Sequence, residues 1–338
     1  MNKMKALLLK RYGNLDQLYF DDIPRPQIKA DEILVRIYAA GLNPIDTMIP
    51  KGMFKPILKF KLPMVMGSDL TGIVEEVGAQ VTRFKAGDAV FASVFDLHIG
   101  SFAEYVAVPE HAASLKPESL GFVEAASLPM VALASWQAFT ERAKIEPADK
   151  VFIPAGAGGI GTFAIQLAKH LGATVATTTS TGNIDLVRDL GADYVVDYKN
   201  QRFEEILSNY DVVLGTLRGD EIARAMKIVK SGGKVISLIG PPDVKFARKR
   251  GMNALMRGII WLLSAKIIRL AEKNNIDYSF LFIRSDGKQL EEIARLVDAG
   301  NIRPIIDKTF PFERTKSALE YLARGHAKGK VVITIVEP

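Results

Sequence analysis

The sequence contains no cysteine, only four histidines and no long uncharged apolar run. Without cysteine, disulfides, thiolate nucleophiles and zinc sites with sulfur ligands are excluded. The histidines lack the i, i+4 spacing that places two ligands on one helix face, so no metal site is expected. No apolar stretch of about 18 residues predicts a transmembrane helix. The apolar run near the N-terminus is too short for a signal peptide, so a cytoplasmic protein is predicted.

The positive charge of the chain is confined to one segment. The formal net charge is +6, and residues 243–275 hold eight basic against two acidic residues, which accounts for the whole excess. The rest of the chain is balanced. Because a polyanion-binding surface requires a broad basic patch, we expect no nucleic-acid partner.

The length of the chain and a change in its residue pattern predict two domains. A chain of 338 residues with 48% hydrophobic and 24% charged residues is typical of a globular protein with about two domains. In the first 128 residues, short alternating runs separated by glycine, proline and aspartate predict a small barrel-like β domain. The runs are residues 32–38, 70–78, 89–92 and 102–108.

From about residue 129 the pattern changes to strands that alternate with helices. Strands are predicted at residues 151–154, 174–179, 194–197, 211–214 and 234–239, with helices between them. Strand and helix alternating at intervals of about 20 residues predict an α/β fold with a doubly wound parallel sheet, the Rossmann architecture. Amphipathic helices at 289–299 and 315–323 and a strand at 330–335 follow.

A glycine-rich loop follows the first strand of this series. Gly156, Gly158 and Gly161, with Gly159 and Ile160 between them, fit the pattern G-x-G-x-x-G. A dinucleotide pyrophosphate must come within hydrogen-bond reach of backbone N–H groups at a helix N-terminus, and a Cβ in the loop would block it. In its strand–loop–helix context the motif predicts a dinucleotide site.

The end of the second strand favours NADPH over NADH. An NAD site usually has an acidic residue there to bind the ribose hydroxyls. This chain has Thr179, Ser180 and Asn183, and no carboxylate before Asp185. Hydroxyl, amide and backbone N–H groups can donate hydrogen bonds to a 2′-phosphate, which a carboxylate would repel.

Ordered motifs give the chain a resemblance to a known family. They lie at residues 41–46, 67–74, 87–90, 100–105, 124–129, 136–138, 149–169, 190–193, 232–234 and 329–332. In this order they resemble medium-chain dehydrogenases/reductases, in the zinc-independent quinone oxidoreductase (ζ-crystallin-like) branch. The resemblance covers nearly the whole chain.

The resemblance implies a GroES-like catalytic domain, a Rossmann domain and an active site in the cleft between them. The catalytic domain would comprise residues 1–128, completed by about 278–338, and the Rossmann domain residues 129–277. Carried over by position, Asn43 would lie near the nicotinamide, and the remaining residues would bind the cofactor. These are Ser180, Asn183, Tyr198, Gly240, Phe282 and Lys330.

The chemistry expected is hydride transfer from NADPH to a quinone or an α,β-unsaturated carbonyl without a metal. Such acceptors delocalise the developing charge, whereas an unconjugated ketone would need zinc or a strong donor. Asn43 is the candidate residue for positioning the reactants. Its alternative role is structural, to stabilise the turn before Pro44. Ser135 is a candidate donor. An enoyl reductase of acyl or prenyl-ketone substrates is the alternative activity, disfavoured by Phe54, which replaces a tyrosine found in mitochondrial-type enoyl reductases. A third hypothesis is that the chain is an NADPH-binding protein with low turnover.

The basic, apolar stretch 246–270 has three interpretations. It contains the run 259–263, with Ile267, Ile268 and Leu270 at helical spacing. One interpretation is a helix that covers the cleft with its cations in water. The others are a subunit contact, since a homo-oligomer is expected, and a peripheral membrane contact.

Overall fold

The computed structural model describes residues 3–55, 57–58, 60–216 and 219–336. The chain divides into two compact units, one formed by residues 1–133 with 283–338 and the other by residues 134–282. The predicted α/β fold, with a parallel sheet and a separate β domain, is confirmed. Strands and helices are numbered below in chain order.

The first unit contains ten strands in two sheets. They are β1 (Lys3–Leu9), β2 (Leu18–Pro24), β3 (Glu32–Leu42), β4 (Met64–Val65), β5 (Asp69–Val77), β6 (Ala89–Ser93), β7 (Tyr105–Pro109), β8 (Ala113–Leu115), β15 (Ile306–Pro311) and β16 (Lys330–Thr334). The smaller sheet has the order β2-β1-β4, and the larger has the order β15-β16-β3-β5-β6-β8, with β7 paired to β3.

Strand β3 organises the larger sheet because it pairs with three neighbours. Residues 32–36 pair antiparallel with β7, residues 33–39 pair antiparallel with β5, and the last four residues pair antiparallel with β16. Its burial is nearly continuous, as expected of a strand packed on both faces. The pairing with β16 places Leu42 opposite Val331, so the C-terminal strand lies beside the turn that follows β3.

Four helices and three 3₁₀ turns complete this unit. They are α1 (Pro44–Met48), α2 (Phe122–Ala126), α10 (Gly287–Asp298), α11 (Thr315–Ala323) and the turns Leu15–Gln17, Glu110–Ala112 and Phe312–Arg314. A hydrophobic core cluster includes Leu7, Leu42 and Phe102 from the first part of the chain with Leu319 and Val331 from the last part. The C-terminal residues therefore belong to the core of this unit.

The second unit is built on a six-stranded parallel sheet. Its strands are β9 (Lys150–Ile153), β10 (Thr174–Thr179), β11 (Tyr194–Asp197), β12 (Tyr210–Gly215), β13 (Val229–Ser237) and β14 (Asp277–Phe280). The spatial order is β11-β10-β9-β12-β13-β14, and all neighbouring pairs are parallel. This is the Rossmann order 3-2-1-4-5-6, in which ligands bind at the carboxyl ends of the strands.

Helices connect the strands of this sheet. They are α4 (Gly159–His170), α5 (Ile184–Asp189), α6 (Phe203–Ile206), α7 (Glu221–Ala225), α8 (Val244–Lys249) and α9 (Ala254–Lys273), with a 3₁₀ turn at Thr181–Asn183. Before them, α3 (Pro129–Trp136) continues into a π-helical segment, Gln137–Ala143. Phe152 of β9 is fully buried in a core cluster with Val213, Val235, Ala271 and Tyr278.

The long helix α9 packs one face on the sheet through Ile267, Ile268 and Leu270. Among the residues that the structure describes, no helix is long and apolar enough to cross a membrane.

Candidate functional site

The glycine loop between β9 and α4 packs too closely for other residues. A Cβ on Gly156 would lie 2.1 Å from Thr177 Oγ1 of β10, and a Cβ on Gly161 would lie 2.4 Å from the Ala155 carbonyl oxygen. Only glycine permits these approaches. The loop therefore lies directly against the second strand, and α4 begins at the carboxyl end of the first strand.

The N-terminus of α4 presents backbone N–H groups without a side-chain cap. Gly158 is the N-cap residue and, as a glycine, has no side chain that could accept from these N–H groups. Gly159 and Ile160 occupy the first turn, where N–H groups have no intrahelical acceptor. Free N–H groups, the positive end of the helix dipole and a loop without β-carbons are what a pyrophosphate requires. These residues fit a dinucleotide.

The end of β10 supplies polar groups beside this loop. Thr179 is buried, whereas Ser180 and Asn183 are half-buried, and Asn183 Nδ2 donates to Ser180 Oγ at 3.2 Å. Tyr198 is 59% exposed, and its N–H donates to the Thr179 carbonyl. The structure thus brings together four residues that the sequence assigned to the 2′-phosphate end of the cofactor.

A carboxylate also contacts the turn Thr181–Asn183 that follows β10. The spacing of residues in the sequence did not predict this contact. Asp197 ends β11 and accepts hydrogen bonds from Thr181 Oγ1 at 2.6 Å, the Lys199 N–H at 3.0 Å and Asn200 Nδ2 at 2.8 Å. The hydrogen bond from Thr181, with the others, lowers the pKa of this carboxyl. Because it lies on the neighbouring strand, only the parallel pairing of β10 and β11 reveals it.

Gly240 and Phe282 follow the carboxyl ends of β13 and β14. The Gly240 carbonyl accepts from Ser237 Oγ at 2.6 Å and from Tyr278 Oη at 2.7 Å. The Phe282 ring lies 5.6 Å from the Phe246 ring. In a parallel sheet these positions share one edge with the glycine loop, so both predicted residues lie at the carboxyl edge of the sheet.

Asn43 and Lys330 meet in the first unit, inside a buried polar network. Lys330 Nζ donates to Asn43 Oδ1 at 2.6 Å and to the Leu42 carbonyl at 2.8 Å. Asn43 Nδ2 donates to Asp69 Oδ2 at 2.9 Å, and that oxygen lies 3.5 Å from Lys330 Nζ. Both polar ends of the Asn43 side chain are thus engaged by neighbours.

Two buried carboxyls surround this lysine. Burial raises the pKa of Asp46 to about 7, and the neighbouring charge of Asp69 adds to the effect. Burial also raises the pKa of Asp69, which the Lys330 ammonium opposes. Burial lowers the pKa of Lys330. Asn43 is the N-cap residue of α1, and its N–H donates to Asp46 Oδ2 at 2.7 Å, so the two residues together hold the turn that the sequence assigned to Asn43.

Ser135 is completely buried in α3. Among the described residues, no group of three or more histidine, aspartate or glutamate residues is arranged to hold a metal ion.

Comparison with known proteins finds family models and relatives that together match nearly the whole chain. The family model for the alcohol dehydrogenase GroES-like domain matches residues 29–118, and the model for zinc-binding dehydrogenases matches residues 190–333. NAD(P)H oxidoreductase RTN4IP1, mitochondrial, of Danio rerio is 34% identical over 357 residues, covering 99% of this chain and 92% of the relative.

A plant enzyme and a solved structure are also similar. NADPH-dependent alkenal/one oxidoreductase, chloroplastic, of Arabidopsis thaliana is 34% identical over 345 residues, covering 98% of this chain and 79% of the relative. The structure of the quinone oxidoreductase from Coxiella burnetii matches with a TM-score of 0.87 and 30% identity, covering 99% of this chain and 100% of that chain.

Proposed function

Since this chain belongs to the zinc-independent quinone oxidoreductase branch of the medium-chain dehydrogenases/reductases, we propose that it reduces quinones or α,β-unsaturated carbonyls with NADPH. The observation that carries this proposal is the glycine loop at the carboxyl end of β9 in a sheet of Rossmann order. The bound nicotinamide supplies the hydride.

The residues of the second unit bind and orient the cofactor in this proposal. The first-turn N–H groups of α4 donate to the pyrophosphate, with Gly156, Gly158 and Gly161 leaving room for it. Ser180, Asn183 and Tyr198 donate to the 2′-phosphate, and Gly240 and Phe282 line the nicotinamide end. The names of the similar oxidoreductases support a nicotinamide cofactor, and the choice of NADPH rests on the Ser180–Asn183 loop.

The preference for conjugated acceptors follows from charge. This chain has no cysteine for the sulfur-ligated zinc of the related dehydrogenases. Quinones and enones spread the developing negative charge over several atoms and need less stabilisation from the protein. Relatives named for quinones and for alkenals and enones support this choice.

Asn43 and Lys330 act in this proposal as positioning residues. Their hydrogen bonds to each other and to Asp69 fix the turn between β3 and α1. Ser135 stays a candidate donor that needs local opening to reach a substrate, because it is buried. A homo-oligomer and a cytoplasmic location stay predictions, which light scattering and cell fractionation test.

The test is NADPH oxidation over a panel of quinones, enones, alkenals and unconjugated ketones, with and without a chelator. We expect turnover with conjugated acceptors, no turnover with unconjugated ketones and no effect of the chelator. Turnover with acyl or prenyl enoyl substrates alone would favour the enoyl reductase. Saturable NADPH binding without turnover on any acceptor would favour the low-turnover binding protein.

A further inference from the structure

Helix α9 exposes large aliphatic side chains on its outward face. Leu255, Ile259, Leu262 and Leu263 are 73%, 44%, 70% and 66% exposed. Their spacing of four, three and one residues places them on one face of a helix. We call these four residues the apolar face of α9. Such a contiguous exposed patch is typical of an interaction site, unlike scattered single side chains.

The opposite side of the helix fixes the orientation of this face. Ile260, Ser264 and Ala271 are buried, and Ile267 and Ile268 pack against the core of the second unit. At the start of the helix, Asn253 Oδ1 accepts from the Met256 N–H at 2.9 Å. The apolar face is therefore not needed for the core, and the fold holds it outward.

Cations continue the same helical face toward its C-terminus. Lys266, Arg269 and Lys273 are exposed and follow the apolar face at helical spacing. On α8 and directly after it, Arg248, Lys249 and Arg250 are exposed as well. Within the described part of the chain, Lys266, Arg269 and Lys273 form no ion pair. Unpaired cations beside exposed aliphatic side chains are complementary to a surface with an anionic outer layer and an apolar layer beneath it.

We propose that α9 docks on an anionic phospholipid surface. The apolar face enters the boundary between headgroups and acyl chains, and the cations contact the phosphates of the headgroups. Trp261, which is 57% exposed, lies off this face, roughly 100° around the helix from Leu262. It borders a cavity of about 420 Å³ that both basic and acidic side chains line, among them Lys245 and Glu272.

Charge favours this occupant over a second copy of the chain. A two-fold interface buries the same patch from both partners, so the cations of both copies would enter one interface. The cores of protein–protein interfaces are depleted of charge. A polyanion without an apolar layer would leave Leu255, Leu262 and Leu263 in water. A lipid surface satisfies both the charges and the aliphatic groups.

Co-sedimentation with vesicles of phosphatidylcholine and phosphatidylserine tests the proposal, with pure phosphatidylcholine as the neutral comparison. We expect binding to the anionic vesicles at low salt and weaker binding at high salt. Neutralising two cations, Lys266→Gln with Arg269→Gln, is expected to weaken binding roughly thirty-fold, at about 1 kcal/mol per cation near the surface. Leu262→Ser with Leu263→Ser is expected to weaken binding at least about tenfold.

Matched controls lie on other surfaces of the chain. Lys10→Gln with Lys85→Gln removes the same charge from exposed positions, and Leu115→Ser with Ile206→Ser removes aliphatic groups that are 53% and 51% exposed. Both controls are expected to bind vesicles as the wild type does, and thermal melts check that every variant is folded. Absence of wild-type binding at low salt would overturn the proposal. The proposal would also be overturned if the wild type forms an oligomer and does not bind vesicles, whereas the Leu262→Ser, Leu263→Ser variant no longer forms that oligomer. That result would identify the apolar face of α9 as a subunit interface.

Discussion

Lys330 Nζ donates to Asn43 Oδ1 at 2.6 Å across 287 positions of sequence. This hydrogen bond joins the start of β16 to the turn between β3 and α1. The same ammonium lies 3.5 Å from Asp69 Oδ2, which is fully buried. One cation from the end of the chain thus neutralises a buried carboxyl near its beginning.

Replacing this cation is expected to destabilise the first unit strongly. Lys330→Met leaves Asp69 without its cation and Asn43 Oδ1 without its donor. Removing one partner of a buried ion pair costs about 3–5 kcal/mol. Chemical denaturation measures the loss, with Lys328→Met as the matched control because Lys328 is exposed two residues away. Equal stability of the two variants would contradict the assigned role of Lys330.

The buried carboxyl of Asp46 is expected to make stability depend on pH. Its folded-state pKa of about 7 lies above the ordinary value of 3.8, because burial penalises the charged form. The folded state therefore binds more protons between these values, and stability falls as pH rises from about 4 to about 7. The shift corresponds to at most about 4 kcal/mol, and the raised pKa of Asp69 acts in the same direction.

Unfolding free energies measured across this pH range test the assignment. Asp46→Asn is expected to flatten the slope, since a neutral amide stays uncharged and can still accept from the Asn43 N–H. Asp31→Asn, at an exposed position, is expected to leave the slope unchanged. A slope of wild-type size in Asp46→Asn would exclude this carboxyl as its main source.

A methyl group in the glycine loop is expected to weaken cofactor binding. In Gly156→Ala the added Cβ meets Thr177 Oγ1 at 2.1 Å, so the loop must shift away from β10. We expect a destabilisation of about 1–3 kcal/mol and a clear loss of NADPH affinity, measured by fluorescence titration. Gly258→Ala is the control, because its Cβ meets nothing within 4 Å. If both variants bind NADPH as the wild type does, the loop is not the site.

A carboxylate at the end of β10 is expected to reverse the cofactor preference. Ser180→Asp places a negative charge where the 2′-phosphate is proposed to bind, and it can accept hydrogen bonds from ribose hydroxyls. We expect KM for NADPH to rise at least about tenfold, the effect of 1.4 kcal/mol, with KM for NADH unchanged or lower. Ser180→Ala separates lost hydrogen bonding from charge repulsion and is expected to have a smaller effect. An equal rise in both constants would show that position 180 does not read the 2′-phosphate.

Local signals in the sequence predicted much of the second unit. The strands at 174–179 and 194–197 have the bounds of β10 and β11, because runs rich in valine and threonine are typical of strands. The glycine loop was recognisable because its steric requirement is local. The strand β14 (Asp277–Phe280) was not predicted, because four residues are too few to show an alternating hydrophobic pattern. Its strand conformation depends on the parallel pairing with β13.

The polar network of the first unit could not be predicted for the same reason. Asn43, Asp69 and Lys330 come from separated positions that only the pairing of β3 with β5 and β16 brings together. Asp197 reaches the Thr181 loop only through the parallel register of β10 and β11. Sequence patterns locate groups along a chain, whereas contacts between elements decide which charges compensate one another.

The proposed reaction is direct hydride transfer from NADPH to a conjugated acceptor without a metal. A single-turnover experiment tests it most directly, using NADPH deuterated at the transferred position of the ring and protein treated with a chelator. We expect NADPH oxidation only when a quinone or enone is added, and we expect its rate to be lowered by deuterium and unchanged by the chelator. Oxidation that is insensitive to deuterium at the chemical step, or that the chelator abolishes, would contradict it.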